Sequence, residues 1–261
     1  RIAAEGVSFA KVSEDMHTGV VVEVNAETDF VAKNAKFQAY VDQVCDQALT
    51  TSAADIDAFL AEKWNLDETR TVAEQLSEEI SIIGENMHIR RFHKLVENEG
   101  LVSAYIHAGG RIGVILQVKS DVVNDAVAEM AKNIAMQIAA LNPKYTTRAE
   151  VDQEYLAHET AILTEAAKNE KPNAPEKVLN GMVQGRLNKE LKEICLVDQT
   201  YVKAEDGKQS VQQYVDSVAK AQGAKISLVT FVRYETGEGL EKKSEDFAAE
   251  VAAQQAAAKK N

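Results

Sequence analysis

The residues best suited to chemistry lie in one ten-residue stretch, Asn25-Ala26-Glu27-Thr28-Asp29-Phe30-Val31-Ala32-Lys33-Asn34, where an alternating valine run gives way to helical spacing. Here a carboxylate and a benzyl ring are neighbours at the start of a helix. Two uses follow from their types. In one, Thr28 or Asp29 caps the helix by accepting from its orphan amides, and Phe30, seven residues before Phe37, lies on the buried face. In the other, the rigid helix start holds Asp29 and Phe30 outward as a wedge for another protein, because scaffold-held loops carry function and aromatic rings are common anchors. Both uses stay open on spacing alone.

The glycine-rich run Gly109-Gly110-Arg111-Ile112-Gly113 superficially resembles a phosphate loop. It lacks the lysine such loops need and leads into alternating apolar residues rather than a helix, so it reads as a hairpin turn. His107 and Arg111 flank this turn and could hold an anion or exchange protons, although polar residues at a hairpin are ordinarily surface groups. The histidines at 17, 88, 93, 107 and 158 make no metal-ligand spacing, and Cys45 and Cys195 are far apart with no histidine at an informative distance. No metal site and no cofactor are therefore expected.

Composition narrows the partners. Among 261 residues, 29 Lys and Arg against 41 Asp and Glu leave a net charge of −12, which disfavours nucleic acid and anionic membranes as partners. No apolar run approaches the roughly 18 residues of a membrane span, and no basic leader precedes one. Two cysteines fit a reducing compartment, so a soluble, cytoplasmic protein is expected. The sequence begins at Arg1 rather than Met, which reads as a piece of a longer chain.

The elements that must position these residues come in two similar series. Gly6 to Val12 reads as extended, His17-Thr18-Gly19 as a turn, and Val20, Val22 and Val24 as one face of a second strand. A helix of about 20 residues follows from Asp29, with Phe37, Val41, Val44 and Ala48 on one side. The order repeats with Gly100 to Ile106, the turn at Ala108-Gly109-Gly110, the face Ile112, Val114, Leu116, Val118, and a helix carrying Val123, Val127, Met130, Ile134, Ile138 and Leu141. Each series closes with one more strand, at Met87 to Leu95 and at Ile226 to Tyr234.

The long interval before that last strand must fold, because a loop of such length is foreign to a compact domain. Residues 150–169 and 175–194 read as a helical hairpin broken at Lys171-Pro172-Asn173-Ala174-Pro175, with Pro175 at the first helical position. Its stripe of Leu179, Met182, Val183, Leu187, Leu191 and Ile194 faces Tyr155, Leu156, Ile162 and Leu163, closing the hairpin or serving a homodimer. Ser210 to Lys220 is a further helix. The fold class is thus α+β: a duplicated core of two three-stranded antiparallel sheets with helices on one face, an inserted antiparallel helical hairpin, and a C-terminal helix. Residues 1–98 form the first core subdomain, 99–149 and 195–243 the second, 150–194 the insertion, and 244–261 the C-terminal module.

Several blocks of the sequence closely resemble the elongation factor Ts family: NAETDFVAKN at 25–34, IGENMHIRR at 83–91, Tyr105-Ile106-His107, Gly110-Arg111-Ile112-Gly113-Val114, the run from 176 to 203, and VRYETGEGLEKK at 232–243. The resemblance implies a guanine nucleotide exchange factor acting on elongation factor Tu in translation elongation. It implies that Asp29 and Phe30 intrude near the partner's magnesium site with Thr28 and Val31 in support. It further implies contacts from the stretch containing Ile83, Gly84 and Met87, and from the turn containing His107, Gly109 and Gly110, which would shift the phosphate loop. Family members also begin with a small three-helix domain that touches the partner; none precedes Arg1, so weakened affinity with intact exchange is expected. Two other readings are a dimer built on the hairpin and a small-molecule enzyme using His107 and Arg111.

Overall fold

The computed structural model describes residues 2–241. The expected C-terminal helix over 244–261 lies outside them. The first half runs β1 (Glu5–Val12), β2 (Thr18–Ala26), α1 (Asp29–Ala32), α2 (Ala35–Thr50), α3 (Ile56–Ala61), β3 (Lys63–Trp64), β4 (Asp67–Thr71), α4 (Val72–Ile83) and β5 (Met87–Val96). The second runs β6 (Gly100–His107), β7 (Ile112–Ser120), α5 (Asp125–Leu141), α6 (Gln153–Glu170), α7 (Glu176–Ile194), α8 (Val211–Gln222) and β8 (Ile226–Glu235). The sheets are antiparallel, ordered β1-β2-β5 and β6-β7-β8, with β3 and β4 pairing separately, so the expected α+β class and the two three-stranded sheets hold.

The period-two valines of β2 explain one face of the first sheet. Val20, Val22 and Val24 pack with Phe37, Tyr40, Val41, Val44 and Ala48 of α2 in one buried cluster. In the second sheet Val114, Leu116 and Val118 meet Val127, Met130, Ile134 and Ile138 of α5 in the same way. The opposite faces are not open to water. Val21 and Leu95 of the first sheet join Val102, Ile115 and Tyr234 of the second in a further cluster, so helix, sheet, sheet and helix stack in that order. The approach is close: a Cβ on Gly113 would stand 2.7 Å from the carbonyl oxygen of Ser8.

A buried ion cluster ties the halves together. The fully buried Glu23 carboxylate accepts from Arg91 Nε (2.7 Å), Arg90 Nη1 (3.1 Å), Asn25 Nδ2 (2.9 Å) and the amide of Gly237 (2.8 Å), which follows β8. Every lone-pair direction of the acid is thereby used, as a buried carboxylate requires.

Several local expectations are corrected. The helix from Asp29 is two helices, because Asn34 begins a new one by accepting from the amides of Lys36 (2.8 Å) and Phe37 (3.3 Å). Val123 precedes Asn124, the N-cap of α5, and lies outside the helix; Leu141 at its end is exposed. Pro175 is the N-cap of α7 and not its first helical residue. Ile162 is exposed, whereas Tyr155, Leu156 and Leu163 do line the seam against α7. The elements from α3 to α4 are absent from the sequence reading: α3, β3 and β4 are short and mix charged with apolar residues, whereas α4 is amphipathic and carries its own start and stop signals in the Thr71–Glu74 capping box and Gly84.

Candidate protein-binding site

The first site is the end of β2 and the single turn of α1. Thr28 is its N-cap, with extended backbone and its Oγ1 accepting from the amide of Val31 at 3.3 Å. Ala32 is buried and Val31 packs partly against the core, so this turn is anchored on one side. Asp29 and Phe30 leave from the other. Phe30 is 82% exposed, which overturns the buried-face reading of this ring. The reason is the break at Asn34: the seven-residue spacing from Phe30 to Phe37 spans two helices with different axes and defines no shared face. The Asp29 carboxylate meets Lys33 Nζ at 3.3 Å on the surface, a pair worth little in water.

The turn after α4 closes against this segment. Gly84 ends α4 in the left-handed region, at φ 81°, where a side chain would be strained. Glu85 then reaches across. Its Oε2 accepts from the amides of Glu27 and Thr28, each at 3.2 Å, and its Oε1 accepts from the Thr28 hydroxyl at 2.7 Å. Glu27 returns the contact, its Oε1 accepting from the Asn86 amide at 3.0 Å. Ile83 is half-buried against the first core, Gly84 is exposed, and Met87 is buried opposite Ala26, its side chain turned into the core rather than outward. Glu85 was not singled out in the sequence, where only its place in the IGENMHIRR block marked it.

The second site is the β6–β7 connection. Ala108, Gly109 and Gly110 take positive φ in succession (48°, 67° and 108°), which tightens the turn and confirms that it is not a phosphate loop opening a helix. Gly110 is buried so closely that a Cβ would stand 2.7 Å from Val7 Cβ and 2.9 Å from Phe9 Cε1. Thr236 Oγ1 donates to the Gly110 carbonyl at 2.8 Å. His107 is exposed, its Nδ1 3.0 Å from the Tyr105 hydroxyl, and Arg111 stands 3.9 Å from Glu235. Strand β1 touches both this turn and α1, so one strand supports the two sites.

Clefts of about 680 and 660 Å³ are lined by residues such as Lys119, Asp121 and Lys225, and Tyr201, Lys203 and Tyr214; neither includes His107 or Arg111. Among the described residues no three His, Cys, Asp or Glu side chains gather as a metal group, and no helix is long and apolar enough to cross a membrane.

Comparison of the sequence with known proteins gives the class, a translation elongation factor. The family model described as Elongation factor TS matches residues 27–238. The chain is 47% identical to elongation factor Ts of Clostridioides difficile (strain 630) over 254 residues, 97% of this chain and 82% of that one. It is 45% identical to elongation factor Ts of Clostridium perfringens (strain SM101 / Type A) over 252 residues, 97% of this chain and 81% of the relative. It belongs to the elongation factor Ts family, whose members serve protein biosynthesis as nucleotide exchange factors.

Proposed function

We propose that this protein binds elongation factor Tu in the cytoplasm and speeds release of its GDP by disturbing the magnesium and phosphate-binding region. The observation that carries the reading is the exposure of Phe30 beside Asp29 on a turn anchored by Ala32 and Glu85. An 82% exposed ring held on rigid structure is costly to leave in water and gains on insertion between partner helices. Magnesium tolerates little departure from octahedral geometry at about 2.0–2.1 Å, so a small displacement of its surroundings weakens nucleotide binding strongly. Phe30 supplies the wedge and Asp29 perturbs the hydrated acidic shell of the ion, with Thr28 and Val31 fixing both. The turn at His107, Gly109 and Gly110 presses on the phosphate loop, and Ile83 and Gly84 extend the contact; Met87 supports it from inside.

No bond is made or broken in this process. Exchange is a coupling between two ligands: the factor weakens nucleotide, and nucleotide weakens the factor, by the same ratio. Typical couplings of about 5- to 150-fold set the lower bound for a dedicated factor. The test is release of a fluorescent GDP analogue from elongation factor Tu with and without this protein. Acceleration that saturates with the added protein is expected; release at the spontaneous rate at all concentrations would overturn the reading.

A further inference from the structure

We propose that Glu85 is the positioning residue of the exchange wedge, setting the direction in which Asp29 and Phe30 leave the fold; this rests on the exchange activity proposed above. The backbone explains the need. The β2 ladder ends with Ala26 opposite Met87, and the helical bonds of α1 begin only with the amide of Ala32 donating to the Thr28 carbonyl at 3.3 Å. The amides of Glu27 and Thr28 therefore fall between ladder and helix and need another acceptor. Glu85 supplies it to both through Oε2.

The same carboxylate extends its hold into α1. The Thr28 hydroxyl donates to Glu85 Oε1 at 2.7 Å while its oxygen accepts from the Val31 amide at 3.3 Å, so a relay runs from Glu85 through Thr28 to the residue after Phe30. A four-residue helix cannot fix its own axis, since nucleation of a single turn is unfavourable. Its orientation comes from outside: Ala32 in the core on one side and the Glu85 relay on the other. All three donors facing Glu85 are satisfied by an ionised carboxylate, and such bonds are stronger than neutral ones. A glutamine there must turn its amide nitrogen toward either the two amides or the hydroxyl, and loses part of the relay.

The experiment combines kinetics with hydrogen exchange. Stimulated release of fluorescent GDP from elongation factor Tu is measured with the unmodified protein, Glu85→Ala, Phe30→Ala and the double variant. Glu85→Ala is expected to lower the maximal rate about tenfold, and the loss in the double variant to fall well short of the product of the two single losses, because both changes remove the placed ring and only the share that runs through Asp29 is added. In Glu85→Ala and the milder Glu85→Gln, amide exchange at Glu27, Thr28 and Val31 is expected to rise about tenfold or more while β2 and α2 stay protected. Multiplicative losses in the double variant would overturn the proposal, as would unchanged protection at those three amides. A normal maximal rate for Phe30→Ala would instead overturn the exchange reading itself, and with it any part for Glu85 in exchange, even where the amides are deprotected.

Discussion

Arg91 stacks on Tyr234: the guanidinium carbon lies 4.0 Å from the centre of the phenol ring, while Nε of the same side chain donates to Glu23 at 2.7 Å. One arginine thus bridges the sheet-to-sheet contact by its flat face and the buried acid by its edge, which a lysine could not do together. Tyr234 is pushed above the ordinary phenol range, first by burial, with Arg91 opposing. The neutral phenol is the form that this contact holds.

Removing the acid leaves the donors without their acceptor. Glu23→Ala is expected to cost about 3 kcal/mol, the low end for breaking a buried pair, because both guanidinium groups reach solvent at one edge. Urea unfolding followed by the fluorescence of Trp64, the only tryptophan, measures it. A loss below about 1 kcal/mol would show that the cluster orients the sheets without stabilising them.

The two phenylalanines flanking the Asn34 break make a matched pair. Phe37→Ala, in the core of the first half, is expected to cost about 3–5 kcal/mol. Phe30→Ala is expected to change stability by less than about 0.5 kcal/mol and still slow stimulated GDP release. Thermal melts and release assays on the same preparations separate the roles; loss of both properties together in Phe30→Ala would return this ring to the core.

Adjacent glycines in the second turn also differ. A Cβ on Gly109 meets nothing within 4 Å, so Gly109→Ala pays only for its φ of 67°, about 1–2 kcal/mol. Gly110→Ala adds a collision with Val7 and Phe9 and is expected to cost about 2 kcal/mol more. It also displaces the turn carrying His107, so stimulated release slows further than in Gly109→Ala. Equal effects of the two changes in denaturant melts and release would mean that the turn yields without strain.

Stability should be flat near neutral pH and fall at both ends. The amides of Lys208 and Gln209 donate to Asp206 Oδ1 at 2.8 and 2.9 Å and hold its carboxyl below the ordinary carboxylate range. A lowered folded value gives stability present above the unfolded value of 3.8 and lost as pH falls through the folded one. For Lys11, burial opposes the charge, but bonds to Asp46 and Asp42 prevail and raise it above 10.5; that stability is present below 10.5 and lost as pH rises through the folded value. Asp206→Asn keeps an acceptor without the charge. Its melting temperature should therefore drop less between about pH 5 and pH 2 than that of the unmodified protein. An identical drop would assign the acid limb to other carboxylates.

Most of the framework was legible because alternation and helical spacing are strong in β2, β7, α2 and α5, and because the interval before β8 was too long for a loop. What alternation alone did not reveal was burial on both faces: Val21, between Val20 and Val22, packs against the other sheet, a contact set by tertiary structure. At the site, Asp29 and Phe30 stood out by type, but the outward turn of Phe30 depended on Asn34. That residue precedes the periodic run from Phe37 and is itself a helix-start signal, competing with continuation from Asp29. Glu85 was illegible for a different reason. Its partners at Glu27 and Thr28 lie most of a subdomain away in sequence, and no local pattern encodes that meeting.

The placement of β8 has a consequence for how the chain matures during synthesis. The first sheet has all its strands once Val96 has left the ribosome, whereas the second must wait for Glu235, with the entire hairpin made in between. At roughly 5 to 20 residues per second that delay lasts roughly 7 to 28 seconds. In the finished fold Val102 and Ile115 pack on Val21 and Leu95, so the first sheet offers a surface on which β6 and β7 can settle once made, before their closing strand arrives.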